Sequence, residues 1–429
     1  MSHGIAYRFT MGSAALALAF GARANVGDGI SFAAGGGTFR PYLDVEGRYD
    51  SAAAFNRNGT NATTGYPNSD FITHIRPGFS LLLSKDVGEV GVNANLDWAQ
   101  YASASELSRL FGAATVTFAT NPRKEIGLEV FDDFRHSDRT STLSLLYGAI
   151  STYNALGFAV PWRPGGGAFT VSAGGQWITE SFEAYQGGTY CAQGPLCNTE
   201  NISKMSYQDF RANGQVRYRF LPRTQFLFDV AYVTRLPSDK TLSQDVNRLE
   251  VQTGIVGYIT PTVTATIKGG YGDTLGSTEK SFGTPLANLS FDWAFLPGMS
   301  AGMGYVHSMG TDPGLPFGLY SSQRLFVEGR AKFLDRYSFR LTGSYDRLEY
   351  SDVNWNNGVG IIEPRLDADI NKWLRVGAGY AYNYRCIYGV KNCLDTMFSG
   401  PEVKVANING FPFVSYKKQE LYLHADVIY

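Results

Sequence analysis

The amino-acid sequence predicts an all-β chain, a transmembrane antiparallel up-and-down β-barrel of about eighteen strands. Three observations carry this. Apolar and polar residues alternate with a period of two, which places them on opposite faces of a strand. Short turns and long polar loops alternate between these segments. No run of ~18 consecutive apolar residues is present that could cross a membrane as a helix. Composition agrees. The 429 residues are 44% hydrophobic and 14% aromatic but only 17% charged, where an average soluble protein has ~25% charged residues. That mix excludes a disordered chain, and the 49 glycines keep no collagen period. With 37 basic and 38 acidic residues, nothing points to nucleic acid as a partner.

Taken in chain order, the first element is a signal peptide over 1–24. Arg8 supplies the positive region, Phe9 to Phe20 (FTMGSAALALAF) the apolar core, and Ala22-Arg23-Ala24 the small-residue cleavage site. Residues 25–37 then form a short Gly-rich periplasmic lead, too short for a plug domain, and 38–429 form the barrel. Alternation is plainest in Val90 to Trp98. There Val90, Val92, Ala94, Leu96 and Trp98 oppose Gly91, Asn93, Asn95 and Asp97. In 39–49, Leu43, Val45 and Tyr49 oppose Arg40, Asp44, Glu46 and Arg48. In 208–220, Phe210, Ala212, Val216, Tyr218 and Phe220 oppose Asp209, Arg211, Asn213, Gln215, Arg217 and Arg219. The same pattern marks strands over 38–50, 70–84, 88–100, 110–120, 125–135, 144–162, 168–182, 206–220, 225–235, 247–259, 263–272, 284–295, 299–308, 319–333, 338–348, 358–370, 373–385 and 415–429.

Every second connection is a tight turn rich in Pro, Gly, Asn and Asp, the residues that turns favour. Examples are Lys85 to Gly88, Asn121 to Lys124, Leu221 to Thr224, Leu296 to Met299 and Leu334 to Tyr337. The longest intervening loops are 51–69, 183–205 and 386–414. Short turns on one side and long loops on the other mark an outer-membrane barrel of a Gram-negative bacterium, with turns in the periplasm and loops outside. An even strand count puts both ends in the periplasm. The last segment, Leu421 to Tyr429, alternates and ends on an aromatic residue. It resembles the signal such barrels present to their assembly machinery.

Four cysteines fall in two local pairs, Cys191 with Cys197 and Cys386 with Cys393, each bracketing a short loop. Four cysteines allow three connectivities. Proximity favours the two local disulfides, and neither pair has the ligand spacing of a zinc site.

The polar rows carry the candidate functional residues. Closing this many strands leaves a lumen too wide for side chains to fill, so the polar face meets water and the apolar face meets lipid. The expected pore lining comprises Arg40, Asp44, Glu46, Arg48, Arg76, Asn93, Asn95, Asp97, Glu129, Asp209, Arg211, Arg217, Arg219, Asp229, Asp292, Arg340, Arg365, Asp367, Asp369 and Arg375. Both signs are present in near balance, which suits neutral hydroxylated cargo. A single-sign lumen would have argued for ion or phosphate selectivity.

Three hairpins add a resemblance. They are Gln215 to Asp229 (QVRYRFLPRTQFLFD), Gly254 to Gly272 (GIVGYITPTVTATIKGGYG) and Trp162 to Gly167 (WRPGGG). Together they resemble the β-barrel porin family of myxobacteria and relatives, outer-membrane barrels associated with polysaccharide secretion. The resemblance implies a passive conduit for exopolysaccharide or capsule export, working with periplasmic export components. A diffusion porin for small hydrophilic solutes is the alternative, and a barrel enzyme or adhesin a weaker one.

Enzyme chemistry finds little footing. His307 and Ser308 are adjacent, so on a strand they point to opposite faces and cannot form a nucleophile–base pair. Asp367 and Asp369 share a face but stand beside Arg365 and Arg375, as members of a charge ladder do. No phosphate-binding loop, dinucleotide fingerprint or metal cluster is evident. The expectation is therefore a non-enzymatic barrel with no cofactor. Its partners are membrane lipid, the assembly machinery and the cargo, and loop 386–414 is expected to fold over its mouth.

Overall fold

A computed structural model describes residues 30–428, apart from 33–36, 52–68, 104, 121–124, 139–149, 167, 184–202, 242, 276–280, 313–317, 352–355, 389–402 and 409–410. The expected signal peptide lies outside the described residues, as do Cys191, Cys197, Cys393 and Tyr429. Among the described residues twenty strands form one antiparallel sheet. In order they are β1 (Ile30–Phe32), β2 (Gly37–Asp50), β3 (Asp70–Lys85), β4 (Gly88–Tyr101), β5 (Arg109–Thr120), β6 (Glu129–Ser137) and β7 (Ile150–Trp162). They continue as β8 (Phe169–Glu183), β9 (Tyr207–Leu221), β10 (Thr224–Pro237), β11 (Val246–Thr260), β12 (Val263–Thr274), β13 (Gly283–Leu296) and β14 (Met299–Thr311). The last are β15 (Leu319–Phe333), β16 (Tyr337–Tyr350), β17 (Asn356–Asp369), β18 (Leu374–Tyr388), β19 (Val403–Ile408) and β20 (Phe411–Ile428).

Eighteen of these strands close a barrel. Each pairs with its sequence neighbour, and the ring is sealed where β2 meets β20, from Tyr42↔Ile428 to Asp50↔Glu420. Sealing leaves no free edge, so the ladder meets its own backbone hydrogen bonds all round. The two extra strands are departures from the expectation. β1 falls in the lead and pairs the first residues of β2, Ile30↔Phe39 to Phe32↔Gly37. β19 falls inside the expected loop 386–414 and makes a hairpin with the start of β20, Val403↔Tyr416 to Ile408↔Phe411. The final strand therefore begins at Phe411 rather than 415. Strand β6 begins at Glu129 rather than 125. Residues before it form a lead tied to β7, with Gly127 N donating to Pro161 O at 2.8 Å and Arg163 N to Glu125 O at 2.7 Å.

The turns have the chemistry of their sequences. Leu296-Pro297-Gly298-Met299 places Gly298 at φ 78, the position where a Pro-Gly turn demands a left-handed residue. In the β15–β16 turn, Leu334 and Asp335 both adopt positive φ, at 50 and 55. This matches the twist of the flanking strands. Two motif glycines serve a different need. A Cβ on Gly254 would lie 2.1 Å from Ile267 O, and one on Gly270 would lie 1.9 Å from Val251 O. Strands β11 and β12 approach too closely there for any side chain.

The two faces of the wall differ as alternation requires. Leu96, Leu289, Phe291, Met303, Leu325, Val327, Leu421 and Leu423 stand exposed on the outer rows. Aromatic residues collect at both edges of this apolar surface. Trp162, Tyr218, Phe220, Tyr258, Trp293, Phe295, Tyr337 and Trp373 are exposed near the short turns, and Tyr49, Phe71, Trp98, Trp177, Phe210 and Tyr271 toward the long loops. On β12, Tyr271 stands about eight residues from Val263, which pairs Trp293. At ~3.3 Å per residue and a tilt near ~40° that is a vertical span of ~20 Å, close to the ~25 Å apolar band of such barrels. Two aromatic girdles flanking an exposed apolar belt define a barrel that spans a membrane.

An arginine at Leu96, on the outer row of β4, is expected to destabilise the barrel by ~2–4 kcal/mol near mid-depth. The same change at Asn95, one residue away on the inner row, is expected to cost less than ~1 kcal/mol because the group stays in water. Urea unfolding from lipid vesicles measures both. Equal losses would reverse the face assignment.

Candidate pore lining

The inner rows lie on the face opposite the exposed apolar belt. One contact shows directly that this face is the interior. Arg235, near the loop end of β10, donates from Nη1 to the carbonyl oxygen of Thr311 at the end of β14, at 3.2 Å. These strands are four places apart, ~19 Å along the wall at ~4.8 Å per strand. Only a side chain entering the lumen can join them. The wall must also bend inward there, because one arginine closes the gap.

The expected residues fall into distinct clusters. The first lies about the seam. Arg48 donates to Glu46 at 2.7 Å and to Glu420 on β20 at 3.0 Å. Arg76 donates to Asp97 at 3.1 Å and to Glu46 at 3.2 Å, and lies 3.6 Å from Asp44. His74 meets Asp97 at 2.9 Å. Lys418 on β20 bonds across the seam to Asp50 at 2.7 Å and reaches Glu420 at 3.2 Å. The ion pairs thus stitch together the first and last strands of the ring.

The second cluster adjoins it on β17, β18 and β20. Arg365 pairs with Asp367 at 2.8 Å, and Arg375 with Asp369 at 2.7 Å. His424 meets Asp367 at 2.9 Å. Asp367 and Asp369 are therefore each engaged by an arginine, as a charge ladder requires, and are not a bare acid pair. Arg340 stands between Arg330 and Arg365 in register, giving three arginines on adjacent strands.

The third cluster is on the wall formed by β8 to β12. Arg235 forks onto both oxygens of Asp209, each at 2.7 Å. Its guanidinium sits 3.7 Å over the Tyr207 ring, and Tyr207 donates to Glu180 at 2.5 Å. Asp229 accepts from Lys268 at 2.8 Å and from Gln215 at 2.5 Å, and Arg217 donates to Gln215. Arg211 shares the inner row of β9 with Asp209, Arg217 and Arg219. Glu129 lies 3.7 Å from Arg163 at the turn side. Asp292 shares the inner row of β13 with Asn288. Arg40, Asn93 and Asn95 lie on inner rows without entering these clusters. His307 and Ser308 are placed on opposite faces, and His307 meets Thr284 instead, at 3.2 Å.

Sequence reasoning missed several wall residues that the structure joins to these groups. They are Asp50, His74, Arg235, Lys268, Lys418, Glu420 and His424. Each has the inner parity of its strand, so carrying the alternation to the strand's full length would have found them. The buried apolar residues near the loops were also missed. Val246, Leu286, Met309 and Leu319 pack together there, as do Ile72, Ala99, Tyr101, Leu107, Phe111 and Ile150. Val246, Leu286, Ile72, Ala99, Tyr101 and Phe111 have the inner parity of their strands, whereas Met309, Leu319 and Ile150 have the outer parity at the loop ends of theirs, and no local pattern distinguishes them from lipid-facing residues.

A closed membrane-spanning barrel with a charged, internally paired inner wall defines the fold class of outer-membrane β-barrel proteins. No protein-family model matches the chain, and no curated protein does. Solved structures similar to it include the FrpB iron transporter from Neisseria meningitidis (F3-3 variant), at TM-score 0.45 and 7% identity, covering 91% of this chain and 81% of that one. OccAB3 from Acinetobacter baumannii gives 0.44 and 10%, covering 91% and 99%. The outer membrane protein opdK from Pseudomonas aeruginosa gives 0.45 and 11%, also covering 91% and 99%. Likeness at this level carries no argument about family or cargo.

Replacing Arg235 by methionine leaves Asp209 buried and unpaired, so a loss of ~3–5 kcal/mol in unfolding free energy is expected. The double variant Arg235→Met/Asp209→Leu should recover most of that loss, because no lone charge remains. A double variant as unstable as the single one would assign the effect to lost packing instead.

Proposed function

We propose that the chain is a passive pore in the outer membrane of a Gram-negative bacterium for hydroxyl-rich cargo of low net charge, and that exported polysaccharide is that cargo. The observation that carries this reading is the pairing of charges along the inner wall. Arg48, Arg76, Arg235, Lys268, Arg365, Arg375 and Lys418 each have a carboxylate partner. Such a wall offers many donors and acceptors but no strong field of one sign, so a sugar chain binds weakly at many places and slides. The resemblance of the three hairpins to barrels associated with polysaccharide secretion supports the same cargo. In this reading the short turns lie in the periplasm, where export components deliver the chain. The long loops face outward. The C-terminal strand β20 engages the assembly machinery, and the cysteines bond as Cys191–Cys197 and Cys386–Cys393.

A diffusion porin for small hydrophilic solutes is the second reading. The Arg235–Thr311 contact favours it, because an inward fold of the wall narrows the opening through which a polymer must pass.

Conductance of the purified barrel in planar bilayers, together with gene deletion, tests the proposal. Weak ion selectivity is expected, with cation and anion permeabilities within ~3-fold, as paired charges imply. Deletion should abolish surface polysaccharide and leave small-solute uptake normal. Strong selectivity for one sign would contradict the paired-wall argument. Intact surface polysaccharide with impaired solute uptake would select the porin. Deleting 394–412 should enlarge the conductance if the segment carrying β19 covers the mouth, and unchanged conductance removes that lid.

A further inference from the structure

Several cations of the inner wall stand directly opposite an acid on the next strand. Arg76 faces Asp44, Arg235 faces Asp209 and Arg375 faces Asp369. One row departs from this. Arg330 on β15 stands directly opposite Arg340 on β16, and Arg340 directly opposite Arg365 on β17. Like charges directly opposite each other destabilise a sheet. Where two acids face each other at the seam, Asp50 and Glu420, the chain supplies its own counter-ion: Lys418 bridges them at 2.7 and 3.2 Å. The arginine row is instead open to the lumen. The side chains of Arg330 and Arg365 are 42% and 30% exposed, where those of Arg48 and Arg375 are each 9% exposed. Lys332 adds a fourth cation on the inner row of β15, two residues nearer the turn.

The carboxylates nearest this row are drawn toward other partners. Tyr422 Oη donates to Glu363 at 2.5 Å, and His424 meets Asp367 at 2.9 Å. Both reach from β20 across β18, where only glycine lets them pass. A Cβ on Gly379 would lie 2.2 Å from Tyr422 Cζ, and one on Gly377 2.2 Å from His424 Nε2. Glu328 leans toward β14, where a Cβ on Gly302 would lie 2.9 Å from its Cγ, and it approaches Arg330 only at 3.9 Å. Arg365 bonds Asp367 through Nε, at 2.8 and 3.1 Å, which leaves its terminal nitrogens for a further oxyanion. On β16 the inner neighbours of Arg340 are the hydroxyls of Ser338 and Thr342.

Each of the three arginines stands three or four residues from the short-turn end of its strand. Guanidinium groups grip carboxylates with two parallel hydrogen bonds. Successive arginines of the row are one strand apart, ~4.8 Å, about the length of one pyranose ring along a chain. We infer that Arg330, Arg340 and Arg365 form a binding site for carboxylate-bearing sugars, the pyranuronate residues of the cargo, at the turn-side mouth of the lumen. The sugar carboxylate lies against the arginine row. Its hydroxyls meet Glu328, Thr342 and Glu363, which stand opposite one another one inner position deeper. This inference rests on the polysaccharide reading above and narrows it. The chain that passes carries acidic residues, spaced widely enough to keep its net charge low, and meets this site first on entering from the periplasm.

The test is interruption of single-channel current through the purified full-length barrel in planar bilayers, by trigalacturonate and by neutral maltotriose. At ~1 M salt the screening length is ~3 Å, so contact rather than distant attraction is read. Trigalacturonate is expected to reside ~10-fold longer than maltotriose, because its carboxylates meet charged donors. In Arg330→Gln/Arg340→Gln its residence should fall by ~10-fold while that of maltotriose stays within ~2-fold of wild type. The open-channel current of the variant verifies that it is folded. Trigalacturonate that resides no longer than maltotriose, or that is indifferent to the double substitution, overturns the arginine site and leaves the polysaccharide reading standing. A current that neither sugar interrupts overturns both. Inorganic phosphate that removes the trigalacturonate block at equal concentration overturns the assignment to carboxylates, because the site then takes any oxyanion.

Discussion

Closure of the backbone ladder is the constraint on which the rest of the structure depends. Within hydrocarbon no water is available to an unpaired N–H or C=O, so a sheet can cross only if it has no edge. The β2–β20 seam removes the edge, and it joins residues nearly four hundred positions apart in sequence. Loop-closure entropy opposes so distant a pairing. The inner wall answers with charge. Arg48 and Lys418 bond carboxylates across or along this seam from opposite sides, with little exposure to solvent. Outside, Leu43, Val45, Tyr49, Leu421 and Leu423 present a continuous apolar surface to lipid. Packing on one face and ion pairing on the other hold the same ten or so residues in register.

Closure also decides what the interior can be. Rows of Arg, Asp, Glu and Asn face inward, yet they do not form a uniform field, because many of these charges are answered by a neighbour. Asp209 with Arg235, and Asp229 with Lys268, show how completely: both acids are buried within the wall. Near the loops Val246 and Leu286 replace charge on the inner rows of β11 and β13 and pack with Met309 and Leu319. The same region carries the Arg235–Thr311 contact, so the lumen is narrowed on one side at the loop end.

Most of this architecture was legible because a two-residue period is a local signal. Val90 to Trp98 and Asp209 to Arg219 declare their faces without knowledge of any partner strand, and Pro297-Gly298 declares its turn. What was not legible depends on distant neighbours. Nothing in Val403 to Ile408 announces a strand, because its pairing with Phe411 to Tyr416 lies beyond the ring and needs no alternation. The short β1 is stabilised by the start of β2 and has no pattern of its own. In the lining, Asp367 and Asp369 could be read as ladder acids from the adjacent arginines. The fork of Arg235 onto Asp209 requires the β9–β10 register, which places them opposite each other. Arg340 shows the limit most clearly. Alternation puts it on the inner wall, but its place between Arg330 and Arg365 is set by register alone.

The central claim is that one closed wall separates water inside from lipid outside with a period of two. Single cysteines placed one at a time along Phe210 to Arg219 of β9, and challenged in native membranes with a charged, membrane-impermeant thiol reagent, test it most directly. The account predicts labelling at 211, 213, 215, 217 and 219 and protection at 210, 212, 214, 216 and 218. Labelling without that alternation, or protection of both rows, would contradict it.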